Sequence, residues 1–168
     1  VKLEKEQPQT SKESFSFGDW NTKAHTAYAK QQWSDAAQFW LNAPCITNAR
    51  VINAANALFN RALAQGKLDQ IQAQITTYDE VIRRFGEAPE AALSELVAKV
   101  LVNKGVRQGQ LNQSEAAIAT YDEVIRRFGE APEAALREWV ANALGNKGIK
   151  QGQLNQSEAA IATYDEVI

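Results

Sequence analysis

Few residues in this 168-residue chain combine type and spacing in a way that could do chemistry. His25 is the sole histidine and Cys45 the sole cysteine. One imidazole and one thiol make neither a zinc set, which needs several nitrogen or sulfur ligands, nor a nucleophile–base–orienter triad. Cys45 follows Pro44 with no cation beside it in sequence to favour a thiolate, so it reads as an inert small residue. Glu87 and Glu90 flank a predicted helix start, where negative charge is stabilised by free N–H groups, and capping explains them better than acid–base catalysis. The glycines recur at fixed intervals and mark helix ends, whereas a phosphate cradle would need a strand before the glycine loop. These readings point away from an enzyme, a metal or a cofactor. What is left is a row of carboxamides: Asn60, Asn103 and Asn146 recur every 43 residues. An amide both donates and accepts, so such a row can meet the backbone of an extended peptide, one unit at a time. The same amides can instead bond the neighbouring helix and fix a stack.

The balance of charge narrows the partners. With 18 basic and 20 acidic residues the formal net charge is −2, which argues against nucleic acid, whose phosphates want a basic face. No apolar run approaches the roughly 20 residues of a membrane-spanning helix. A single cysteine allows no intrachain disulfide. The chain opens on Val1, contains no methionine, and closes inside a repeat, so the expectation is a piece of a longer array.

The elements that must position the asparagines follow from an internal duplication. Tyr78–Thr120 and Tyr121–Thr163 differ at only seven places: Ser94/Arg137, Leu96/Trp139, Lys99/Asn142, Val100/Ala143, Val102/Gly145, Val106/Ile149 and Arg107/Lys150. A third copy begins at Tyr164. A period of this size marks stacked units. The expected division is a polar tail over 1–14, a capping segment and first helical hairpin over 15–45, and repeats over 46–88, 89–131 and 132–168. In the capping segment Phe15, Phe17 and Trp20 gather around Gly18 as a short stretch laid against the first helices. Asn21 to Ala43 reads as a hairpin, its second helix marked by Trp33, Ala36, Ala37 and Trp40.

Within each repeat, Gln65-Gly66, Gln108-Gly109 and Gln151-Gly152 punctuate the chain. Asp69, Asn112 and Asn155 then stand three residues before Gln72, Glu115 and Glu158, a capping-box spacing that predicts helix starts there. Along these second helices Ile75, Tyr78, Val81, Ile82 and Phe85 recur at helical spacing, with Asp79/Arg83 and Glu80/Arg84 expected as i,i+4 ion pairs and Asp122/Arg126 and Glu123/Arg127 as their repeats. Gly86 and Gly129 are expected to end the helices, and Pro89 and Pro132 to open the next ones. First helices are thus expected over about Thr47 to Gln65, Pro89 to Gln108 and Pro132 to Gln151. No stretch alternates with the period of a strand, so the class is all-α: about eight helices in antiparallel pairs.

The units resemble tetratricopeptide repeats. A small residue in the first helix (Ala24, Ala62, Gly105, Gly148) and a small-then-aromatic pair in the second (Ala36/Trp40, Ala117/Tyr121, Ala160/Tyr164) match that family's packing, with Gln74 replacing the alanine before Tyr78. The departures are a period of 43 where the family has about 34 residues, Lys104 and Gln108 at apolar family positions, and Gly129 where a proline is usual. The resemblance covers about Asn21 to Ile168. It implies a right-handed α-solenoid whose first helices line a concave groove for a peptide or partner protein. On that mapping the groove residues are Asn56, Phe59, Asn60, Leu63 and Lys67, then Lys99, Val102, Asn103, Val106 and Gln110, then Asn142, Gly145, Asn146, Ile149 and Gln153. All seven differences between the copies fall in first helices, so specificity is expected there. Trp139, in place of Leu96, reads as core ahead of the alternative, an anchor at the rim of the groove. The competing expectations are a structural spacer, a regulatory region of a larger protein, or a self-assembly module forming a homodimer through Tyr164, Val167 and Ile168.

Overall fold

The computed structural model describes residues 17–42 and 47–166. The polar tail over 1–14, Phe15, Cys45, Val167 and Ile168 lie outside the described residues, as do the side chains of Phe17 and Trp20. Among the described residues there are eight α-helices and no strand: α1 (Phe17–Ala29), α2 (Trp33–Leu41), α3 (Asn48–Lys67), α4 (Ile71–Phe85), α5 (Ala91–Gln110), α6 (Ser114–Phe128), α7 (Ala134–Gln153) and α8 (Ser157–Asp165). Phe17 and Trp20 belong to α1 itself and not to a separate capping stretch.

The turns inside the hairpins correct the capping-box expectation. Asp69, Asn112 and Asn155 have φ of 56°, 59° and 60°, in the left-handed region. The N-caps fall one residue later, on Gln70, Gln113 and Gln156, and none of these makes a side-chain cap bond. Closure of the preceding helix is the reason. The Gln113 N–H donates to the Gln108 carbonyl at 2.9 Å and the Asn112 N–H to the Gly109 carbonyl at 3.3 Å, with the same pair of bonds at Asp69–Gln70 and Asn155–Gln156. That closure needs one left-handed residue, which Asn and Asp tolerate better than other side chains. The first hairpin makes the same turn through Gln31, φ 61°. Between hairpins, Gly86 and Gly129 do end α4 and α6, but with right-handed φ of −61° and −57°. A Cβ on either would press on the carbonyl oxygen of Ile82 or Ile125. Pro89 and Pro132 precede the N-caps Glu90 and Glu133, so α5 and α7 open at Ala91 and Ala134, two residues later than expected.

Each helix packs on its neighbours in sequence, and the first helices α3, α5 and α7 also touch one another. Helices α4, α6 and α8 show no comparable mutual packing. The first helices are therefore an inner row and the second helices an outer one. Their sequences fit these places. Helix α5 is 20 residues, about 30 Å long, and buries Leu93, Leu96, Val97, Val100, Leu101 and Val102 on several faces because neighbours surround it. Helices α4 and α6 bury one stripe, Tyr78, Val81 and Phe85 or Tyr121, Val124 and Phe128.

Hairpin closeness depends on small residues in the first helix. A Cβ at Gly105 would collide with the Tyr121 ring, its Cζ at 2.7 Å, and one at Gly148 would meet Tyr164 Cζ at 2.6 Å. A latch lies nearby in each repeat. Thr77, Thr120 and Thr163 donate to the Oε1 atoms of Gln65, Gln108 and Gln151 at 2.7, 2.7 and 2.8 Å. This explains the polar residue at Gln108, which is buried but bonded.

On the outer row, Glu80 pairs with Arg84 at 2.8 Å and Glu123 with Arg127. The expected Asp79–Arg83 and Asp122–Arg126 pairs do not form. The aspartates instead reach the following unit, Asp79 to Lys104 at 2.6 Å and Asp122 to Lys147 at 2.8 Å, while Arg126 turns to Glu123. The hydrogen bond from Arg126, aided by that from Arg127, holds the Glu123 carboxyl at about 2 against the opposing effect of partial burial.

Substitutions at two positions test these devices. Asn112→Ala is expected to lose about 1 kcal/mol, the penalty of an ordinary side chain in left-handed backbone, while Asn112→Gly holds stability. Gly105→Val is expected to lose about 2 kcal/mol or more by overpacking against Tyr121. Gly105→Ala is expected to lose about 1 kcal/mol or more, since its Cβ alone displaces the buried Tyr121 ring and helix propensity offsets only part of that. Urea denaturation of the four variants reads both.

Candidate functional site

The inner row presents the carboxamides. Asn56, Leu63, Lys67, Gln110, Asn142, Ile149 and Gln153 are exposed, and Asn60, Lys99, Asn103, Val106, Gly145 and Asn146 are half-buried. Phe59 and Val102 do not line a surface: they are 7% and 4% exposed and belong to the core. Phe59 is covered from two sides. It stacks on Tyr78, ring centroids 6.4 Å apart, and Lys99 of α5 holds its Nζ 4.8 Å from the ring centroid. Val102 is buried on α5, the helix that α3, α4, α6 and α7 surround. At the third position of this series, Gly145, an added Cβ would meet nothing within 4 Å. Trp139 is half-buried against the core, in keeping with its expected place.

Two hollows follow the inner row. One, of about 310 Å³, is lined by His25, Tyr28, Trp40, Asn53, Asn56 and Asn60. The other, of about 240 Å³, lies between α3 and α5 and is lined by Ile52, Asn56, Ala92, Glu95, Leu96 and Lys99. Asn56 borders both, so they form a trough along α3. Their volumes sit at or below the low end of small-molecule pockets. The trough suits a narrow strand of polymer better than a compact ligand. Its aromatic wall was not read from the sequence as a site. His25 is exposed and meets Trp40 edge-on, centroids 5.2 Å apart, while Tyr28 packs edge-on to Trp33 at 5.0 Å. Asn53 was missed too, although its i, i+3, i+7 spacing with Asn56 and Asn60 was a visible signal.

The three recurring asparagines are not equivalent. Asn60 donates from Nδ2 to the Tyr28 hydroxyl at 2.6 Å, so here the amide fixes the stack. Asn103 and Asn146 have no such partner among the described residues. The turn register shows why. Three residues before the left-handed positions stand Tyr28, Gly66, Gly109 and Gly152. Only the first hairpin offers a hydroxyl there. Gln110 and Gln153 are engaged within their own helices, accepting from Arg107 at 2.8 Å and Lys150 at 3.0 Å.

The buried phenols give no nucleophile. Burial pushes the Tyr121 hydroxyl up to about 12, and burial raises Tyr78 as well, against a lowering hydrogen bond from Gln74. Among the described residues no three His, Cys, Asp or Glu side chains are placed to hold a metal ion, and no helix is long and apolar enough to cross a membrane. No protein-family model and no curated protein matches the chain.

The asymmetry of the asparagines is measurable in stability. Asn60→Ala and Tyr28→Phe are each expected to cost about 1 kcal/mol, the net worth of one hydrogen bond. Asn103→Ala and Asn146→Ala are expected to cost less than about 0.5 kcal/mol. Denaturation midpoints of the four variants distinguish the two groups.

Proposed function

We propose that this protein is an interaction scaffold, a right-handed solenoid of the tetratricopeptide kind, whose concave inner row holds an extended segment of a peptide or partner protein. It works without a cofactor and is not an enzyme. The observation that carries this reading is the pair of half-buried amides at Asn103 and Asn146, on the inner row and without an internal partner. A free amide can donate to a peptide carbonyl and accept from a peptide N–H, and Asn103 and Asn146 continue along α5 and α7 the inner row whose trough lies at α3. Leu63, Val106 and Ile149, exposed or half-buried along the same helices, supply apolar contact for side chains, and the positions that differ between copies set which side chains are accepted.

Self-association through the C-terminal end is a second reading. Ile161 and Tyr164 favour it, being 61% and 42% exposed. The charge of α8 opposes it, since that helix carries Glu158 and Asp165 and no base. The groove reading is therefore preferred, with spacer or regulatory roles as what an empty groove would leave.

A peptide array probed with the chain and with an Asn103→Ala/Asn146→Ala double variant tests it. Peptides retained by the chain are expected to bind the double variant about tenfold more weakly, the worth of one or two hydrogen bonds. Equal binding by a folded double variant would remove the groove mechanism.

A further inference from the structure

Helices α6 and α8 share the sequence SEAAIATYD over Ser114–Asp122 and Ser157–Asp165, yet the two copies sit in different surroundings. Tyr121 is 1% exposed and Tyr164 is 42% exposed; Ile118 is half-buried and Ile161 is 61% exposed. Helix α7, which packs on α6, makes the difference. The polar marks of that packing are specific. Lys147 of α7 pairs with Asp122 at 2.8 Å, as Lys104 of α5 pairs with Asp79 at 2.6 Å. Three residues on, Lys150 lies across Gly109, where an added Cβ would fall 2.7 Å from its Nζ. On α7 and α8 the same features stand exposed. Asp165 is exposed and outside every ion pair among the described residues, and a Cβ at Gly152 would meet nothing within 4 Å. Ile149 beside it is 51% exposed.

We propose that the end face of α7 and α8 captures an amphipathic helix of the α7 type, supplied by another repeat unit. Its apolar stripe covers Ile149, Ile161 and Tyr164. One lysine pairs with Asp165, and a second, three residues later, lays its stem over Gly152. The same face of a second copy is not the occupant, because α8 carries acids and no base and two such faces would oppose like charges. This site borders the inner row at Ile149 but uses none of its amides, and Asp165 and Gly152, on which its test turns, are outside the groove reading.

The test is a fluorescent peptide of residues 132–153 titrated against the full chain and followed by anisotropy. Saturable binding is expected, and a peptide carrying Lys147→Glu and Lys150→Glu is expected to bind at least tenfold more weakly. The chain variant Asp165→Lys is expected to weaken the unmodified peptide at least fivefold and to regain affinity for the Lys147→Glu peptide. Gly152→Leu, whose side chain has open space in the free chain, is expected to block binding while circular dichroism is unchanged. Absence of saturable binding would overturn the proposal. So would binding indifferent to Asp165→Lys and Gly152→Leu, which would place the peptide on α6, or a symmetric dimer through this face that excludes the peptide.

Discussion

The structure depends on one steric condition: an aromatic ring of each second helix must come to rest on a first-helix position with almost no side chain. Gly105 under Tyr121 and Gly148 under Tyr164 meet it in the two near-identical repeats. With a small residue at this position, glycine here and Ala62 in the first repeat, the helices of a hairpin lie close enough for Thr120 to reach Gln108 and Thr77 to reach Gln65, and the buried glutamine is bonded. Close hairpins in turn leave the first helices free to touch one another. That makes α5 a helix surrounded by neighbours and α6 a helix with one buried stripe. The division into an inner row and an outer row goes with this close pairing of first and second helices.

Much of this was legible in the residues. The period, the eight helices and the pairing of small with aromatic positions could be read because each rests on local pattern repeated at a fixed offset. Three things were not legible, for distinct reasons. Asp69, Asn112 and Asn155 suit both an N-cap and a left-handed turn, and only backbone geometry separates the two; the turn prevails because the preceding helix must close before the next can start. Asp79 had Arg83 within helical reach, but Lys104 of the next unit lies nearer, and spacing along one helix says nothing about distance between helices. The resemblance to tetratricopeptide repeats puts Phe59 on α3 and Val102 on α5 in the groove, but it says nothing about how the helices of this longer unit bury them. Phe59 is covered by Tyr78 and by Lys99 of the following unit, and Val102 by the helices packed around α5.

The row of asparagines shows how one residue type at one spacing can carry two jobs. Asn60 is a tie because the first hairpin is not a true copy and keeps Tyr28 where the repeats keep glycine. Asn103 and Asn146 inherit the position without the hydroxyl. Of the two uses the sequence suggests for the row, the structural bond is made at the first unit, while Asn103 and Asn146 make no such bond among the described residues.

Near-identity of the units also sets a problem of counting for the folding chain. Since α6 and α8 begin alike, α7 meets two equally welcoming outer helices, and a hairpin displaced by a whole unit would satisfy most of the same contacts. What breaks the degeneracy is the series Phe59, Val102, Gly145. Only the first member presents a ring, and only Lys99, not Asn142, brings a cation to it. The contact is modest, about 0.5 to 1 kcal/mol, but like the Asn60–Tyr28 bond it cannot be made out of order. It acts as an address, telling the second unit which neighbour comes before it.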